Sequence, residues 1–539
     1  MRNWNVLAAL LAVGFIMTPI AAAQQSDNLR DEVNQLKNDL HRVMSQNKQI
    51  ISENAELRSR VDGVEDNTLE ERINALAESL DYAAGTTVNS VANPITATGE
   101  FRIRSGWALN RDFGRDFASS EDEDDDGSFQ DARIRVAFDF DFSRNVTTHF
   151  SMQANGLFGN DETATNDNGQ LSEIDLYEGW ILVRNIFGRK ELSNKSGRQE
   201  IVLGNEFIFG NNDFFGGETH DGSVWSWSSD NFDLHFIFAK MDLDGANAGV
   251  ATGHPYSITG SQGGYDDDEM YALYFTLKTL GDHVLDLFWV YMNGNGSGNG
   301  GTSSGPLGNL NGSGNSASAS SVGDEFYYHT VGMRLGGMFN VAAGLDYNIN
   351  FAYQFGDINA NGGGADAEVN SFALEAEVGI TFNANNNFRM FIRFLFTEGA
   401  DENDETGFIH LFPERHAQAN RDDHTASRAR YGIMDIIPMS NVMTAQLGMT
   451  FDPATDWTLG ATVLWAVTDE DVTVNGSNED DIGFEIDVFA EYRYSAETTF
   501  SAGIGFFFAG EAAPTAGGGF AGNDDDVAVL FYLQSRVVF

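Results

Sequence analysis

Beyond residue 99 the sequence alternates between apolar and polar residues over segments that are long for strands. In one such segment apolar Ala132, Ile134 and Phe138 alternate with charged Arg133 and Asp139. The same period of two recurs in four further segments, 345–355, 372–382, 388–396 and 482–492. This period predicts β-strands with one polar face, and lengths of about ten to fourteen residues exceed those typical of soluble sheets. Alternation alone fits a soluble antiparallel sandwich as well as a membrane barrel.

The connections between these segments are short and long in turn, which distinguishes the two folds. Short turns are predicted at 143–145, 281–282, 383–385, 452–454 and 495–496, and long loops at 111–129, 242–268, 293–323, 398–440 and 511–525. Short periplasmic turns and long external loops are the rule in outer-membrane barrels, whereas a sandwich has no reason to follow it. The sequence therefore predicts an all-β fold, an antiparallel transmembrane β-barrel of about eighteen strands over residues 99–539.

The strand count follows from where the alternating segments begin. The predicted starts are near residues 100, 130, 146, 174, 197, 222, 232, 269, 283, 324, 341, 367, 386, 441, 455, 480, 497 and 526. An even number is what bacterial barrels of this kind have. The last segment alternates through Val537 and ends in the aromatic residue Phe539.

The first 98 residues do not share this period. Residues 1–23 have a positive start at Arg2, an apolar run over 6–16 and small residues at Ala21–Ala23, which predict a secretory signal peptide. The apolar run is too short to span a bilayer. Residues 24–80 are predicted to form a periplasmic coiled coil, and residues 81–98 a linker.

The coiled coil is predicted from a stripe with spacings of four and three residues. The stripe contains Leu29, Val33, Leu36, Leu40, Val43, Asn47, Ile50, Asn54, Leu57, Val61 and Val64. Polar Asn47 and Asn54 at a positions cost stability but fix the register, so we expect a defined homo-oligomer, and a trimer is compatible with the mixed a and d residues. The alternative is one helix folded back on its own domain.

Composition excludes several classes of function. The chain has 80 acidic residues against 31 Lys and Arg, a formal charge of -49, whereas a nucleic-acid binder needs a basic surface. The chain has no Cys, which excludes disulfide scaffolds, thiolate metal sites and cysteine nucleophiles. The pattern Gly-x-Ser-x-Gly occurs at 301–305, but within the Gly- and Ser-rich loop 293–323 rather than at a nucleophile elbow, so an enzyme is the least favoured class.

The excess negative charge lies mostly in predicted external loops, notably at 121–126, 266–269 and 401–405. These stretches are expected to be solvated loop surface, with weak surface Ca²⁺ binding as the competing interpretation. Residues 122–127 match the front of an EF-hand loop, but Arg133 stands where the bidentate Glu belongs. No metal or cofactor site is therefore predicted.

Eighteen strands enclose a lumen that strand side chains alone do not fill, so the inward polar residues form the expected functional surface. The pore-lining arginines predicted on this face are Arg102, Arg104, Arg133, Arg135, Arg334, Arg389 and Arg393. Rings of arginine select anions, which predicts an anionic solute. Carboxylates such as Glu375, Glu377, Glu485 and Asp487 share the face, and the alternative is that these charges pair across a wet lumen.

The longest loop, 398–440, is acidic in its first part and basic in its second. Arg428 and Arg430 belong to the basic part. We expect this loop to fold into the lumen, where its basic half forms a constriction.

Two motifs resemble the alginate-export porin family. The first runs from Gly197-Arg198-Gln199-Glu200 to Gly204 and continues through 210–213 to His220-Asp221-Gly222; the second is 411–416 followed by 431–435. The resemblance covers residues 99–539 and implies an eighteen-stranded outer-membrane barrel whose electropositive lumen passes an anionic polyuronate. It also implies that six motif residues line or brace the pore: Arg198, Asn212, Asp221, His416, Tyr431 and Asp435.

Two functions follow from these observations. The first is an outer-membrane porin for passive diffusion or export of anionic solutes, either small anions or oligo- and polyuronates. The alternative is a structural protein whose coiled coil reaches from the outer-membrane lipid to the cell wall, with general, non-selective porin activity. Both place the barrel in the outer membrane and the coiled coil in the periplasm.

Overall fold

The computed structural model describes residues 95–110, 127–157, 174–211, 213–214, 216–242, 268–295, 325–339, 344–359, 366–382, 386–400, 405–414, 430–434, 436–513 and 527–539. The predicted signal peptide and coiled coil lie outside the described residues, as does the acidic stretch 121–126. Across the described ranges no helix is both long and apolar enough to cross a membrane.

The described residues form eighteen long strands and one two-residue strand. The strands are β1 (Ile95–Leu109), β2 (Gly127–Asp141), β3 (Val146–Leu157), β4 (Asp175–Arg184), β5 (Leu192–Gln199), β6 (His220–Ser228), β7 (Phe232–Asp242), β8 (Asp268–Leu277), β9 (His283–Asn295), β10 (Glu325–Phe339), β11 (Gly344–Asn359), β12 (Ala367–Phe382), β13 (Phe388–Thr397), β14 (Glu405–Thr406), β15 (Val442–Ala454), β16 (Trp457–Val474), β17 (Ser477–Arg493), β18 (Thr498–Ala509) and β19 (Val527–Val538). A single 3-10 turn, Ile186–Gly188, lies between β4 and β5.

The long strands close into a barrel in chain order. Each pairs antiparallel with the next long strand, and β1 pairs with both β2 and β19, with Phe101 opposite Ile134 on one side and Val537 on the other. Short β14 runs parallel to β12. The predicted barrel of eighteen antiparallel strands is thus confirmed. The largest shifts in strand start are at β1, which begins at Ile95 rather than near 100, and β5, which begins at Leu192 rather than near 197.

One connection at the end with the long loops is itself short. Strands β16 and β17 have 18 and 17 residues and are joined by Asn475 and Gly476. Both residues have positive φ, 52° and 88°, which is the backbone of a two-residue hairpin turn that Asn-Gly favours. Long strands here take the place of a long loop.

The two faces of the barrel differ in the sense expected for a protein in lipid. The exposed outer side chains are large and apolar, for example Ile392, Leu447 and Trp465, which are 60%, 54% and 50% exposed. The alternate residues point inward and are polar yet buried, such as Asn350 and Glu375. The apolar surface faces outward and the charged surface inward, as in membrane barrels with a polar interior.

Candidate constriction inside the barrel

Two chain segments fold into the lumen from the end that carries the long loops. The first segment comprises residues 200–211, 213–214 and 216–219 of the β5–β6 connection; the second comprises residues 405–414 and 430–434 of the β13–β15 connection. They pair as a short parallel ladder in which Phe209 lies opposite Phe412. The Gly210 N–H donates to the Phe412 carbonyl at 2.6 Å, and the Phe412 N–H donates to the Ile208 carbonyl at 3.1 Å. The lumen therefore contains a folded element made of two distant parts of the chain.

This element has an apolar core of its own. Buried apolar residues from both segments belong to it: Phe207, Ile208, Phe209, Phe408, Ile409, Leu411, Phe412 and Tyr431. They belong to the same cluster as inward apolar residues of the wall, including Ile237, Met270 and Val290. The ring of His220, at the start of β6, packs edge-on against the ring of Phe412, with 4.5 Å between the ring centroids. Packing of this kind fixes the segments against one wall of the lumen.

Asp213 of the first segment is held by arginines of the opposite wall. Arg133 donates to the Asp213 carbonyl at 2.7 Å and to its carboxylate at 3.0 Å, and Arg135 donates to the carboxylate at 2.8 Å. Arg102 reaches the same carbonyl at 2.8 Å. Burial would raise the pKa of Asp213, but the charges of Arg133 and Arg135 outweigh it and hold that pKa below its usual 3.8. Asp213 is therefore a charged anchor.

The neighbouring backbone of the first segment is bound in the same way. Arg104 donates to the Phe214 carbonyl at 3.0 Å and lies over its ring at 4.1 Å, and Arg135 donates to the Gly216 carbonyl at 2.9 Å. Arg104 also pairs with Asp131 of β2 at 2.9 Å. Four arginines of β1 and β2 thus bind one stretch of loop backbone.

Arg430 links the two segments to the barrel wall. Its Nε donates to Glu375 of β12 at 2.6 Å, and its two terminal nitrogens donate to the carbonyls of Asn205, Glu206 and Glu414 at 2.6, 3.1 and 2.8 Å. Burial lowers the pKa of Arg430, and the Glu375 carboxylate more than offsets that effect, so the net shift is upward. One guanidinium therefore connects both segments to β12.

A glutamine of β11 supports the second segment from another direction. The Gln354 amide donates to the Ile409 carbonyl and accepts from the Ile409 N–H, each at 2.8 Å. Asn205 of the first segment donates to Glu375 at 3.0 Å. The constriction is thus bound to β1, β2, β11 and β12 by hydrogen bonds and ion pairs.

The remaining predicted arginines lie inside the barrel in pairs with acids. Arg389 binds Asp346 and Glu377 at 2.5 and 2.7 Å, and Arg393 binds Glu377 at 2.6 Å. Arg334 binds Asp286 at 2.7 Å. All seven strand arginines proposed as pore-lining therefore lie on the inner side, with carboxylate or carbonyl partners.

The motif residues have several different positions. Tyr431 is buried in the second segment, where its hydroxyl lies 3.3 Å from His410. Arg198 and Asp221 lie on the outward face, because the adjacent residues Gln199 and His220 are buried on the inward one. This position differs from the predicted one in the lumen, since one step along a strand reverses the face. The remaining four predicted residues, Asn212, His416, Arg428 and Asp435, lie outside the described residues.

Comparison with known proteins assigns the sequence of this chain to a family. The family described as alginate export matches residues 96–523, which is most of the barrel. The chain belongs to the alginate export family. Together with the closed barrel, this membership identifies it as an outer-membrane channel protein of the porin type.

Solved structures similar to this alginate export family member share its fold. The Pseudomonas aeruginosa structures of OccK3 (OpdO), OpdQ and OccK9 (OpdG) each have a TM-score of 0.50 over 83% of this chain. They are covered over 95%, 97% and 99% of their own lengths, at sequence identities of 9%, 10% and 9%. Identities this low indicate the common barrel alone. No curated protein matches the sequence.

Sequence reasoning predicted only part of the constriction in this alginate export family member. The loop 398–440 was expected in the lumen, and from the β5–β6 connection only Asn212 was expected at the pore, through the motif resemblance; the roles of Asp213 and Glu414 were not predicted. The available signal was the length of the connection between Gln199 and His220, combined with the apolar run Phe207–Phe209. An apolar run in a connection has to be buried somewhere.

No group of three His, Cys, Asp or Glu side chains that could hold a metal ion occurs in the part of the chain that the structure describes. The acidic stretch 121–126, considered for Ca²⁺ from the sequence, is outside that part.

Glu218 gives the constriction of this alginate export family member a predicted pH response. Burial and the nearby Glu414 carboxylate raise the pKa of Glu218 to about 7. Because the pKa of Glu218 in the folded protein lies above the ordinary value of 4.5, its protonated carboxyl group stabilises the folded constriction. This stabilisation is complete below pH 4.5 and is lost as the pH rises to about 7. We expect conductance to be higher, and anion selectivity lower, at pH 8 than at pH 6.

Single-channel recording between pH 5 and pH 9 checks this response. Glu218→Gln should remove the step near pH 7, whereas Glu497→Gln, in a turn at the other end of the barrel, should keep it. A step that persists in Glu218→Gln would assign the titration to another group.

Proposed function

We propose that this outer-membrane channel passes anionic solutes, with oligo- and polyuronates as the favoured class. The proposal rests on the cluster of arginines on adjoining strands of one inner wall. Along the ladder Arg102 lies directly opposite Arg133 of β2 and Arg536 of β19. Arg104 and Arg135 complete the cluster, and its paired acids are Glu100, Asp131, Glu200 and Asp213.

The charge of this cluster favours an anion. Five guanidinium groups face four carboxylates, an excess of one positive charge. Arg536 is the most open member, with 42% of its side chain exposed. Guanidinium groups bind carboxylates bidentately, so the carboxylate groups of a uronate chain match the donors of this wall. In a polar lumen even weak contacts of this kind can select anionic over neutral solutes.

The constriction supplies the competing ligands. The carboxylate of Asp213 and the carbonyls of Asp213, Phe214 and Gly216 accept hydrogen bonds from the arginines. In our proposal a solute carboxylate replaces Asp213 on Arg133 and Arg135, and the first segment moves aside as the solute passes. Release from the solute then restores the Asp213 contacts.

Reconstitution in a planar bilayer under a salt gradient tests the proposal. We expect an anion-selective reversal potential, and transient blockade by an oligouronate but not by a neutral oligosaccharide of the same length. Cation selectivity without blockade by the oligouronate would show that the carboxylates dominate the lumen, leaving a general porin.

The predicted heptads over residues 29–64 favour a second role as a tether between the outer membrane and the cell wall. In this proposal the coiled coil lies in the periplasm and associates with its copies in a homo-oligomer. Deleting residues 24–80 should leave conduction intact in reconstituted protein while envelopes detach in cells. Envelopes that stay attached after the deletion would exclude the tether.

A further inference from the structure

The barrel wall is lowest at β5 and β6. These strands have 8 and 9 residues, the shortest of the eighteen long strands, whereas β16 and β17 have 18 and 17. At a rise of about 3.3 Å per residue and a tilt of about 40°, eight residues span roughly 20 Å. The apolar band of a membrane barrel is about 25 Å tall, so this part of the wall is too low to match it.

The outward face of this low wall is polar toward the long loops, while Leu192, Trp225 and Trp227 are its outward residues toward the short turns. Because Gln199 and His220 are buried inside, strand alternation places five polar residues outward. These residues, which we call the outer stripe, are Asn194, Ser196, Arg198, Asp221 and Ser223. At comparable outward positions on β13, β15 and β16 the chain has Ile392, Leu447 and Trp465.

The members of the outer stripe bind one another. Asn194 donates to the Ser223 hydroxyl at 2.8 Å, and the Ser196 hydroxyl lies 2.8 Å from both the Asn194 carbonyl oxygen and the Ser223 hydroxyl. Arg198 binds Asp221 through two hydrogen bonds of 2.8 and 2.7 Å. Their side chains are nevertheless 41% and 54% exposed, so the pair retains unused donors and acceptors.

Charged residues continue beside the stripe. Lys240 of β7 lies directly opposite Asp221 and forms an ion pair with Glu269 of β8. Basic and acidic groups therefore alternate across four neighbouring strands, in the order Arg198, Asp221, Lys240 and Glu269. A row with both signs can pair with an identical row turned by a two-fold axis.

Hydrocarbon is a poor environment for such a surface. Polar groups in lipid cost free energy unless they have partners, and charges on the lipid face of a barrel destabilise it. A wall shorter than the bilayer is commonly covered by association with another protein. Both properties occur at one place on this barrel.

We propose that the outer stripe of β5 and β6 is an interface with a second copy of this chain within the membrane. The second copy is favoured over another partner because the charged row is complementary to itself and because a self-associating coiled coil is predicted over residues 29–64 of the same chain. The inference is independent of which solute passes through the lumen.

Cysteine cross-linking in intact outer membranes tests the interface. The chain has no Cys, so each single-cysteine variant has one reactive site. We expect Ser196→Cys and Ser223→Cys, treated with a short bismaleimide, to give covalent dimers of the full chain. Leu447→Cys, on the outward face of β15, should stay monomeric on denaturing gels. Equal cross-linking at all three positions would indicate association by the coiled coil alone, and none at the stripe would overturn the interface.

A second variant distinguishes a stripe that faces lipid from a stripe that faces another protein, because its expected effect is opposite in the two cases. Replacing Asn194, Ser196 and Ser223 together by Leu should stabilise a barrel whose stripe faces lipid, but should break an interface built on their hydrogen bonds. We expect loss of the dimer on native electrophoresis with the heat-modifiable mobility of the folded barrel retained. An unchanged dimer together with a higher Tm would show that the stripe faces lipid.

Discussion

Arg430→Ala is expected to widen the channel and to raise its single-channel conductance several-fold. The guanidinium of Arg430 makes four hydrogen bonds, one to the Glu375 carboxylate and three to carbonyls of the two segments. Removing one partner of a buried ion pair costs about 3–5 kcal/mol, because the other charge is left uncompensated. That loss shifts the equilibrium between segments folded into the lumen and segments displaced from it by a factor on the order of a hundred or more.

The measurement is the conductance distribution of the variant in a planar bilayer. Arg184→Ala is the matched control, since it removes an arginine of β4 whose hydrogen bond goes to Thr147, a residue of β3 rather than of either segment. We expect the control to conduct like the unaltered protein. Equal conductance of Arg430→Ala and the unaltered protein would mean that the segments stay in place without this residue.

Asp213→Asn is expected to shift the channel strongly toward anions. The carboxylate of Asp213 is the shared partner of Arg133 and Arg135, and its replacement removes one negative charge while both guanidinium groups remain. The excess of positive charge in the cluster rises from one to two. The first segment also loses its charged anchor, so conductance should increase together with the anion to cation permeability ratio.

Reversal potentials under a salt gradient measure this shift. Asp139→Asn is the control, because it removes an equal charge from β2 at a residue bound to His149, 2.7 Å away, rather than to the arginine cluster. If both variants moved the reversal potential equally, net lumen charge would explain the effect and Asp213 would have no special part. Blockade by an oligouronate should lengthen in Asp213→Asn, since the competing carboxylate is gone.

The sequence predicts the barrel well because strand alternation is a local property. Ile134 and its neighbour Arg133 indicate the apolar and the polar face of their strand, and this inference needs no information about distant parts of the chain. Closure then needs only a count of strands and the alternation of turns. Even the shift of β5 to Leu192 preserves this topology.

The constriction is different, because its contacts join residues far apart in the chain. Arg430 binds the carbonyl of Asn205, and Gly210 pairs with Phe412. No local pattern shows that these two stretches meet, and the basic half of the 398–440 loop predicted a constriction without indicating that Arg430 anchors it to β12. The face of Arg198 was missed for a related reason: a motif shows which residues recur, whereas the face depends on register.

Both inward segments enter the lumen from the same end of the barrel. Their contacts nevertheless reach the middle of the wall, since Arg102 is the eighth of 15 residues in β1 and Glu375 the ninth of 16 in β12. A solute arriving from the short-turn end pushes the segments toward their own attachment, whereas one from the opposite end pushes them deeper into the lumen. We therefore expect the two directions of travel to be mechanically unequal, with an asymmetric current–voltage relation in a planar bilayer.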